Sequence, residues 1–514
     1  MSLTATIISN LLKEHNLLKQ FDNYQDELVF TGISYDSRNI KKDDLFFCKG
    51  NFKEEYLKSA RKNGAMGYVA EHNFGQGTGM AAIIVTDVTK AMAVLSAAFF
   101  NFPQDDLFII GITGTKGKTS TAYFAHSILN DKFPKQVALF STIDRIVGPN
   151  PEDEFKSDLT TPESLNLFHD MRQAVNNGMK YLVMEVSSQA YLRNRVYGLK
   201  FDCGVFLNIS PDHIGRNEHK DFNNYLFCKS QLLLNSKACI LNADSNYFGN
   251  IYHTAKVSVD PQNIYVFGSD DKNEKVNYLI KDRTDNLTDN IFDIKTVQQD
   301  SAALINGKID LSVPGDYNQQ NATAAIIASI LAGASFDNAK QALSNISIPG
   351  RMEHLLIPGH GIVFVDYAHN YASLKALLKF VKSQYKNGKV AVVVGSPGDK
   401  GISRRAGFGK ALSEQADEAY LTTDDPGFEN PEDIIKEIIK NITSKNLKVH
   451  VVLDRYEAIK EAIISNGPND VLILAGKGED PYQKIKGVDT KWPTDMAVAK
   501  EVKRGLLNNG ETKQ

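Results

Sequence analysis

The sequence predicts a multidomain α/β protein whose mostly parallel sheets are covered by helices. Three observations predict it. At 514 residues the chain is roughly three to four times a typical domain of about 150 residues, enough for two to four cores. Short apolar strand-like runs alternate with helix-length segments along most of its length, which is the pattern of a helix-covered parallel sheet. One of these strands, 107–113, runs through a Gly/Thr/Lys turn directly into a helix-length stretch at 120–129.

The elements follow in order. Residues 1–107 form a smaller α/β domain, with helical spacing of Ile8, Leu11 and Leu12, strand-like runs at 67–70 and 81–85, and a helix over 91–100. Residues 108–349 form a central domain, with further strands at 181–186 and 203–209. The polar stretch 255–313, rich in Asp, Asn and Lys, reads as an antiparallel edge or excursion. After helices at 321–331 and 338–343, Pro349-Gly350 punctuates the chain. Strands at 361–366, 390–395, 418–422, 449–453 and 471–475 then alternate with helices through 350–514, as in a doubly wound, Rossmann-like domain.

Composition removes several classes. Hydrophobic residues at 42% and charged residues at 23% are globular proportions, away from disordered or fibrous chains. Fifty-eight basic against 61 acidic side chains give a net charge of −3 without a long basic block, so neither nucleic acid nor an anionic membrane is an expected partner. Any anion site is therefore local. Four cysteines without a CxxC pair argue against a disulfide framework or a Cys-rich zinc site, and fit a reducing cytoplasm. No continuous apolar run is long enough for membrane insertion or export.

Three clusters carry chemistry. In Gly111-Ile-Thr-Gly-Thr-Lys-Gly-Lys-Thr-Ser the glycines let backbone N–H groups turn toward phosphate oxygens, Lys118 can reach the β/γ-phosphates, and Thr119 can hold Mg²⁺. Five residues rather than four separate Gly111 from Gly117, a departure from the strict spacing. Glu185, in Met-Glu-Val-Ser-Ser, stands at a strand end, where doubly wound sheets place ligands. It can ligate a metal, or simply be a solvated strand-end carboxylate. Asn208-Ile-Ser-Pro-Asp-His delivers an Asn, Asp212 and His213 to another strand end, which favours a ligand role for His213 over a satisfied core histidine.

These residues resemble the Mur ligases of bacterial cell-wall synthesis. The likeness runs through Asp36-Ser-Arg, Gly114-Thr-Lys-Gly-Lys-Thr-Ser, Thr160-Thr-Pro, Glu185-Val-Ser-Ser, Asp212-His, Asn318-Gln-Gln-Asn321, Pro349-Gly-Arg-Met-Glu, Asp366-Tyr-Ala-His, Asp424-Asp-Pro and Gly476-Lys-Gly, in that order. The family shares the one-residue departure in the phosphate loop. The resemblance implies an ATP- and Mg²⁺-dependent amide ligation on a UDP-sugar dipeptide through an acyl phosphate. It implies three domains: UDP-sugar-binding at 1–107, ATP-binding at 108–349 and amino-acid-binding at 350–514. Catalysis falls to Lys118, Glu185, His213 and Lys229. Metal ligation falls to Thr119, Glu185, His213 and a carbamylated Lys229; an isolated helical lysine would otherwise read as a solvated face. ATP falls to Gly114, Thr115, Lys116, Gly117, Lys118, Thr119, Ser120, Asn318, Asn321, Arg351, Asp366 and His369. The UDP-sugar peptide falls to Ser37, Thr160, Thr161, Ser187, Arg193 and Arg195. The amino acid falls to Asp424, Asp425, Pro426, Gly427, Gly476 and Asp480. The expected partners are these small molecules, and the expected state is a monomer.

Relatives that add meso-diaminopimelate carry an Arg after Asp-Asn-Pro; here that position is Gly427. Glycine cannot neutralise a distal carboxylate, and losing one partner of a buried pair costs about 2–5 kcal/mol. Diaminopimelate is therefore disfavoured and L-lysine is expected, with Asp424 and Asp425, and Glu479 or Asp480 nearby, suiting its cation. Ornithine remains an alternative. The stretch Gly476-Lys-Gly-Glu-Asp departs from the commoner Gly-Lys-Gly-His-Glu. Rival readings are a folylpolyglutamate synthetase, which needs no extra N-terminal domain, a P-loop switch or motor, which leaves Asp366-Tyr-Ala-His unexplained, and a nucleotide-binding scaffold, which binds without turnover.

Overall fold

The computed structural model describes residues 1–74, 79–212, 214–215, 218–285, 290–298, 304–385, 388–399 and 401–511. Among them no helix is long and apolar enough to cross a membrane. The chain divides into two compact units: Met1–Arg283 with Phe292–Asp310 and Tyr317–Ser344, and Thr284–Ile291 with Leu311–Asp316 and Asn345–Gln514.

The first unit opens with the helix Ala5–Glu14, whose N–H of Ile7 is capped by Thr4 Oγ1 at 3.2 Å and whose Ile8 and Leu12 are buried at i, i+4 spacing. A five-stranded sheet follows in the order Leu18–Asp22, Ala81–Val85, Gly67–Ala70, Asp44–Phe47, Gly32–Ser34. All neighbours are parallel except Leu18–Asp22, which pairs antiparallel at the edge. The three middle strands are buried along their whole length, which is why they read as continuous apolar runs rather than alternating ones.

An eleven-stranded sheet forms the rest of this unit's framework, with Phe108–Thr113 near its middle between Tyr181–Glu185 and Phe201–Phe206. Both neighbours are parallel to it, with Glu185 opposite Ile112 and Phe206 opposite Thr113. That register sets three strand C-termini side by side. The expected excursion at 255–313 is continuous with this sheet: Ile264–Gly268, delivered by the helix Phe248–Ser258, pairs parallel with Ser236–Asn242, and Tyr278–Asp285, Asn290–Thr296 and Asn306–Asp310 extend the edge. Ile264-Tyr-Val-Phe-Gly is wholly buried, and polar flanks disguise it in the sequence.

In the second unit a six-stranded sheet runs Glu353–Ile357, Gly361–Asp366, Val471–Ala475, Val390–Val394, Glu418–Leu421, Lys448–Val451. Only the first strand is antiparallel, so five C-termini point the same way. Helices Arg455–Ser465 and Asp495–Glu511 are joined by a fully buried ion pair, Arg455 Nε to Asp495 Oδ1 at 2.8 Å and Nη2 to Oδ2 at 2.6 Å.

Candidate active site

The loop between Phe108–Thr113 and the helix Lys118–Lys132 supplies the phosphate cradle. Gly117 sits at the helix N-cap with φ 86°, a left-handed conformation that favours glycine, and a Cβ there would collide with Asn321 Oδ1. Gly111 is equally constrained, because a Cβ would meet the Phe201 ring and Leu232. The loop is held from the adjacent strand end: Asn208 Oδ1 accepts from Lys116 N and its Nδ2 donates to Lys116 O, both at 3.0 Å. Thr115 N donates to Asn208 O at 3.0 Å, and Thr115 Oγ1 accepts from Ser210 N at 3.0 Å. Lys118 Nζ folds back to the Gly114 carbonyl at 3.0 Å.

Lys229 is not on a solvated face. Its helix, Phe222–Leu234, turns it into the interior, where Nζ donates to Gly114 O at 2.7 Å and lies 4.8 Å from the centre of the Tyr225 ring. Burial and the neighbouring Lys118 push its amine well below the ordinary lysine value. A buried neutral amine is the form that adds CO₂ to give a carbamate anion.

Glu185 is completely buried, and its carboxylate accepts from Thr142 N at 2.7 Å and Thr142 Oγ1 at 3.1 Å. Sequence reasoning missed Thr142; its position just past the strand Val137–Phe140, beside Glu185's strand, was the available signal. Carboxylate and hydroxyl oxygens are the hard donors a divalent cation such as Mg²⁺ takes, and each Glu185 oxygen keeps lone-pair capacity beyond its contact with Thr142. Glu185 and the buried Thr119 hydroxyl therefore fit such an ion. Among the described residues no group of three His, Cys, Asp or Glu is arranged for a metal, and His213 lies outside the described residues.

The residues expected to hold a sugar peptide line the same side. Thr161 Oγ1 donates to Glu185 O at 3.0 Å and accepts from Ser187 N at 3.0 Å; Thr160 Oγ1 lies 3.0 Å from Thr142 Oγ1, whose proton goes to Glu185. Arg195 donates to Thr161 O at 3.2 Å and pairs with Glu163 at 3.0 Å, while Glu163 also takes Lys49 at 2.5 Å. Lys49 lies over the Tyr35 ring at 4.5 Å, which brings the segment preceding Asp36-Ser37-Arg38 to this wall. Ser37 is buried and Arg193 is exposed at the end of the short helix Ser188–Leu192. Glu163 and Lys49 were unmarked in the sequence. Asn318 and Asn321, on Asp316–Leu331, are buried and bonded to each other at 3.1 Å.

In the second unit Asp366 is held by the N–H groups of Met352 and Ala368 at 3.0 and 2.9 Å; burial raises its carboxyl, against the pull of Arg351. The Arg351 guanidinium lies 5.3 Å from the Tyr367 ring centre, and Tyr367 Oη accepts from Glu479 N at 3.1 Å. Exposed His369 bonds the Tyr367 carbonyl at 2.7 Å.

Asp424 and Asp425 already have a cation. Lys477, almost fully buried, places Nζ 2.6 Å from Asp425, 3.4 Å from Asp480 and 3.8 Å from Asp424. Burial works against its charge, but Asp424 and Asp425 outweigh it and hold the ammonium above its ordinary value. Gly476, with φ 95°, passes close to Asp424 Oδ2. Gly427, with φ 60°, has the Asp399 carboxylate where a Cβ would stand, and Asp399 Oδ2 accepts from Phe428 N at 2.8 Å.

Two family models match this chain: the Mur ligase middle domain over residues 112–329, and the Mur ligase glutamate ligase domain over 350–478. The UDP-N-acetylmuramyl-tripeptide synthetase of Ligilactobacillus salivarius (strain UCC118) is 56% identical over 507 residues, covering 98% of this chain and 99% of that protein. The UDP-N-acetylmuramoyl-L-alanyl-D-glutamate--L-lysine ligase of Enterococcus faecalis (strain ATCC 700802 / V583) is 45% identical over 511 residues, covering 97% and 98%. A solved UDP-N-acetylmuramoyl-L-alanyl-D-glutamate--2,6-diaminopimelate ligase shares the fold, with TM-score 0.67, 23% identity and coverage of 98% and 99%. With a glycine-dependent phosphate loop braced by Asn208 in one unit, a doubly wound second unit, and near full-length relatives at this identity, the chain belongs to the Mur ligase family.

Proposed function

We propose that this protein is an ATP-dependent ligase that joins L-lysine to UDP-N-acetylmuramoyl-L-alanyl-D-glutamate in peptidoglycan precursor synthesis. The observation that carries the reading is the phosphate loop flanked by buried Glu185 on the adjacent strand and by Lys229, on the helix Phe222–Leu234, beneath Gly114, with the Thr161–Ser187 wall alongside. A carboxylate oxygen of the dipeptide attacks the γ-phosphorus and ADP leaves; the lysine amine then attacks the acyl carbon, loses its proton, and phosphate leaves. Such transfer depends on positioning and charge neutralisation. Lys118 and the loop N–H groups hold the triphosphate. Thr119, Glu185, His213 and carbamylated Lys229 would hold Mg²⁺, which when bound neutralises phosphate charge. Asn318, Asn321, Arg351, Asp366 and His369 hold the nucleotide; Ser37, Thr160, Thr161, Ser187, Arg193 and Arg195 hold the sugar peptide.

The amino acid meets Asp424, Asp425, Pro426, Gly427, Gly476 and Asp480. Asp399, Asp424, Asp425 and Asp480 stand in the loops that follow neighbouring strands, and Lys477 pairs with the last three. A cluster of carboxylates favours a diamine cation over the second carboxylate of diaminopimelate, which Gly427 leaves without a side-chain partner at that position. Three domains, 1–107, 108–349 and 350–514, divide these tasks in a cytoplasmic monomer. Incubation with ATP, Mg²⁺, the UDP-sugar dipeptide and a panel of amino acids tests the reading by product mass. A lysine adduct with stoichiometric ADP is expected; a diaminopimelate adduct overturns the amino acid, and ADP release without an adduct overturns the ligation.

A further inference from the structure

We propose that His219 is a positioning residue that locks the turn carrying Ser187 to the helix carrying Lys229. The inference rests on the ligation reading above and deepens it. His219 is completely buried and uses both ring nitrogens: Nε2 lies 2.8 Å from Ser188 Oγ and Nδ1 lies 2.9 Å from Asn224 Oδ1. An amide oxygen only accepts, so Nδ1 carries the proton and, in the neutral ring, Nε2 accepts the Ser188 hydroxyl proton.

Each end of this bridge leads to a different part of the site. Ser188 is buried and follows Ser187, whose N–H is fixed by Thr161 Oγ1 at 3.0 Å on the wall assigned to the sugar peptide. Asn224 lies in the first turn of Phe222–Leu234, and its own N–H is capped by Asp221 Oδ1 at 2.7 Å. The adjacent Tyr225 meets the His219 ring edge-on, with centroids 5.2 Å apart, and its hydroxyl lies 3.1 Å from Thr115 Oγ1 in the phosphate loop. One turn further on, Lys229 donates to Gly114 O. A single imidazole thus spans from the wall that presents the carboxylate to the loop that presents the phosphate. In-line transfer needs these two held to within a fraction of an ångström, and a misplacement of about 1 Å costs on the order of 100-fold in rate.

The experiment compares His219→Ala and His219→Gln with the wild type by steady-state kinetics, varying the UDP-sugar dipeptide and ATP separately, with product identity read by mass. For His219→Ala the expected result is a kcat lower by roughly 10- to 100-fold and a dipeptide KM raised by about tenfold, with the ATP KM unchanged. His219→Gln, whose amide reaches Ser188, should recover most of the dipeptide KM. A merely structural histidine lowers the active fraction and leaves both KM values where they are, so unchanged KM values in His219→Ala overturn the proposal whatever the kcat. Should His219→Ala not fold, Ser188→Ala removes one hydroxyl and gives the same readout: a raised dipeptide KM at constant ATP KM supports the bridge, and an unchanged one overturns it. Wild-type enzyme that forms no tripeptide product overturns the ligation reading itself, and the bridge with it.

Discussion

Lys229 Nζ donates a 2.7 Å hydrogen bond to the carbonyl of Gly114, from a fully enclosed position and across 115 residues of sequence. The lysine and the phosphate loop are therefore one construction, and the amine's burial beside Lys118 disfavours its charged form. Lys229→Ala should lower kcat by about 100- to 1000-fold, the range typical of removing one preorganised charge from a transfer site. In CO₂-stripped buffer the wild-type rate should fall and recover on adding bicarbonate, while Lys229→Ala stays indifferent to it. Full activity in Lys229→Ala would remove the carbamate from the account.

Glu479 gives a pH dependence whose sign can be worked out. Burial and the nearby Glu353 raise its carboxyl from 4.5 to about 7. Between those values the folded state binds more protons than the unfolded chain, so this group's contribution to stability falls as pH rises through the window. Glu479→Gln should abolish that slope and stabilise the protein at pH 8 by about 1–2 kcal/mol, after discounting for partial exposure. Denaturant midpoints at pH 5 and pH 8 check it; parallel pH profiles for variant and wild type would contradict it.

The buried pair Arg455–Asp495 should behave as a unit. Replacing Arg455 alone with Met strands a buried carboxylate and is expected to cost about 3–5 kcal/mol. The double variant Arg455→Met, Asp495→Leu should recover most of that loss, because it removes both charges from the interior. Urea midpoints of the two single variants and the double variant form the cycle, and additive losses would show that the two residues do not act together.

Gly427 is required twice, by its left-handed backbone and by the Asp399 carboxylate standing where a Cβ would go. Gly427→Ala should cost about 1–3 kcal/mol and raise the lysine KM at least several-fold, with the ATP KM unchanged. Asp399→Ala added to it relieves the collision and should return part of the stability. Thermal melts together with lysine titrations of the single and double variants measure both effects; a fully stable Gly427→Ala would be the contrary result.

The strand 108–113, its glycine turn and the helix after it are legible in the sequence, because apolar runs, glycine placement and helical periodicity act over a few residues. The order of the motifs, and with it the family, is legible for the same reason: each is a short local pattern. Charge partnership is not local. Asp424 and Asp425 read as open to a substrate cation, yet the folded chain gives them Lys477, delivered by the end of a different strand. Lys229 reads as a solvated lysine until Phe222–Leu234 packs its inner face under the phosphate loop. His219 carries no motif of its own; only packing sets Ser188 and Asn224 on its two nitrogens. Local sequence determined which elements form and where the phosphate-sized loop lies. Tertiary structure alone decided which buried charges and polar atoms meet, since the energy of a desolvated group depends on neighbours that the chain brings in from far away.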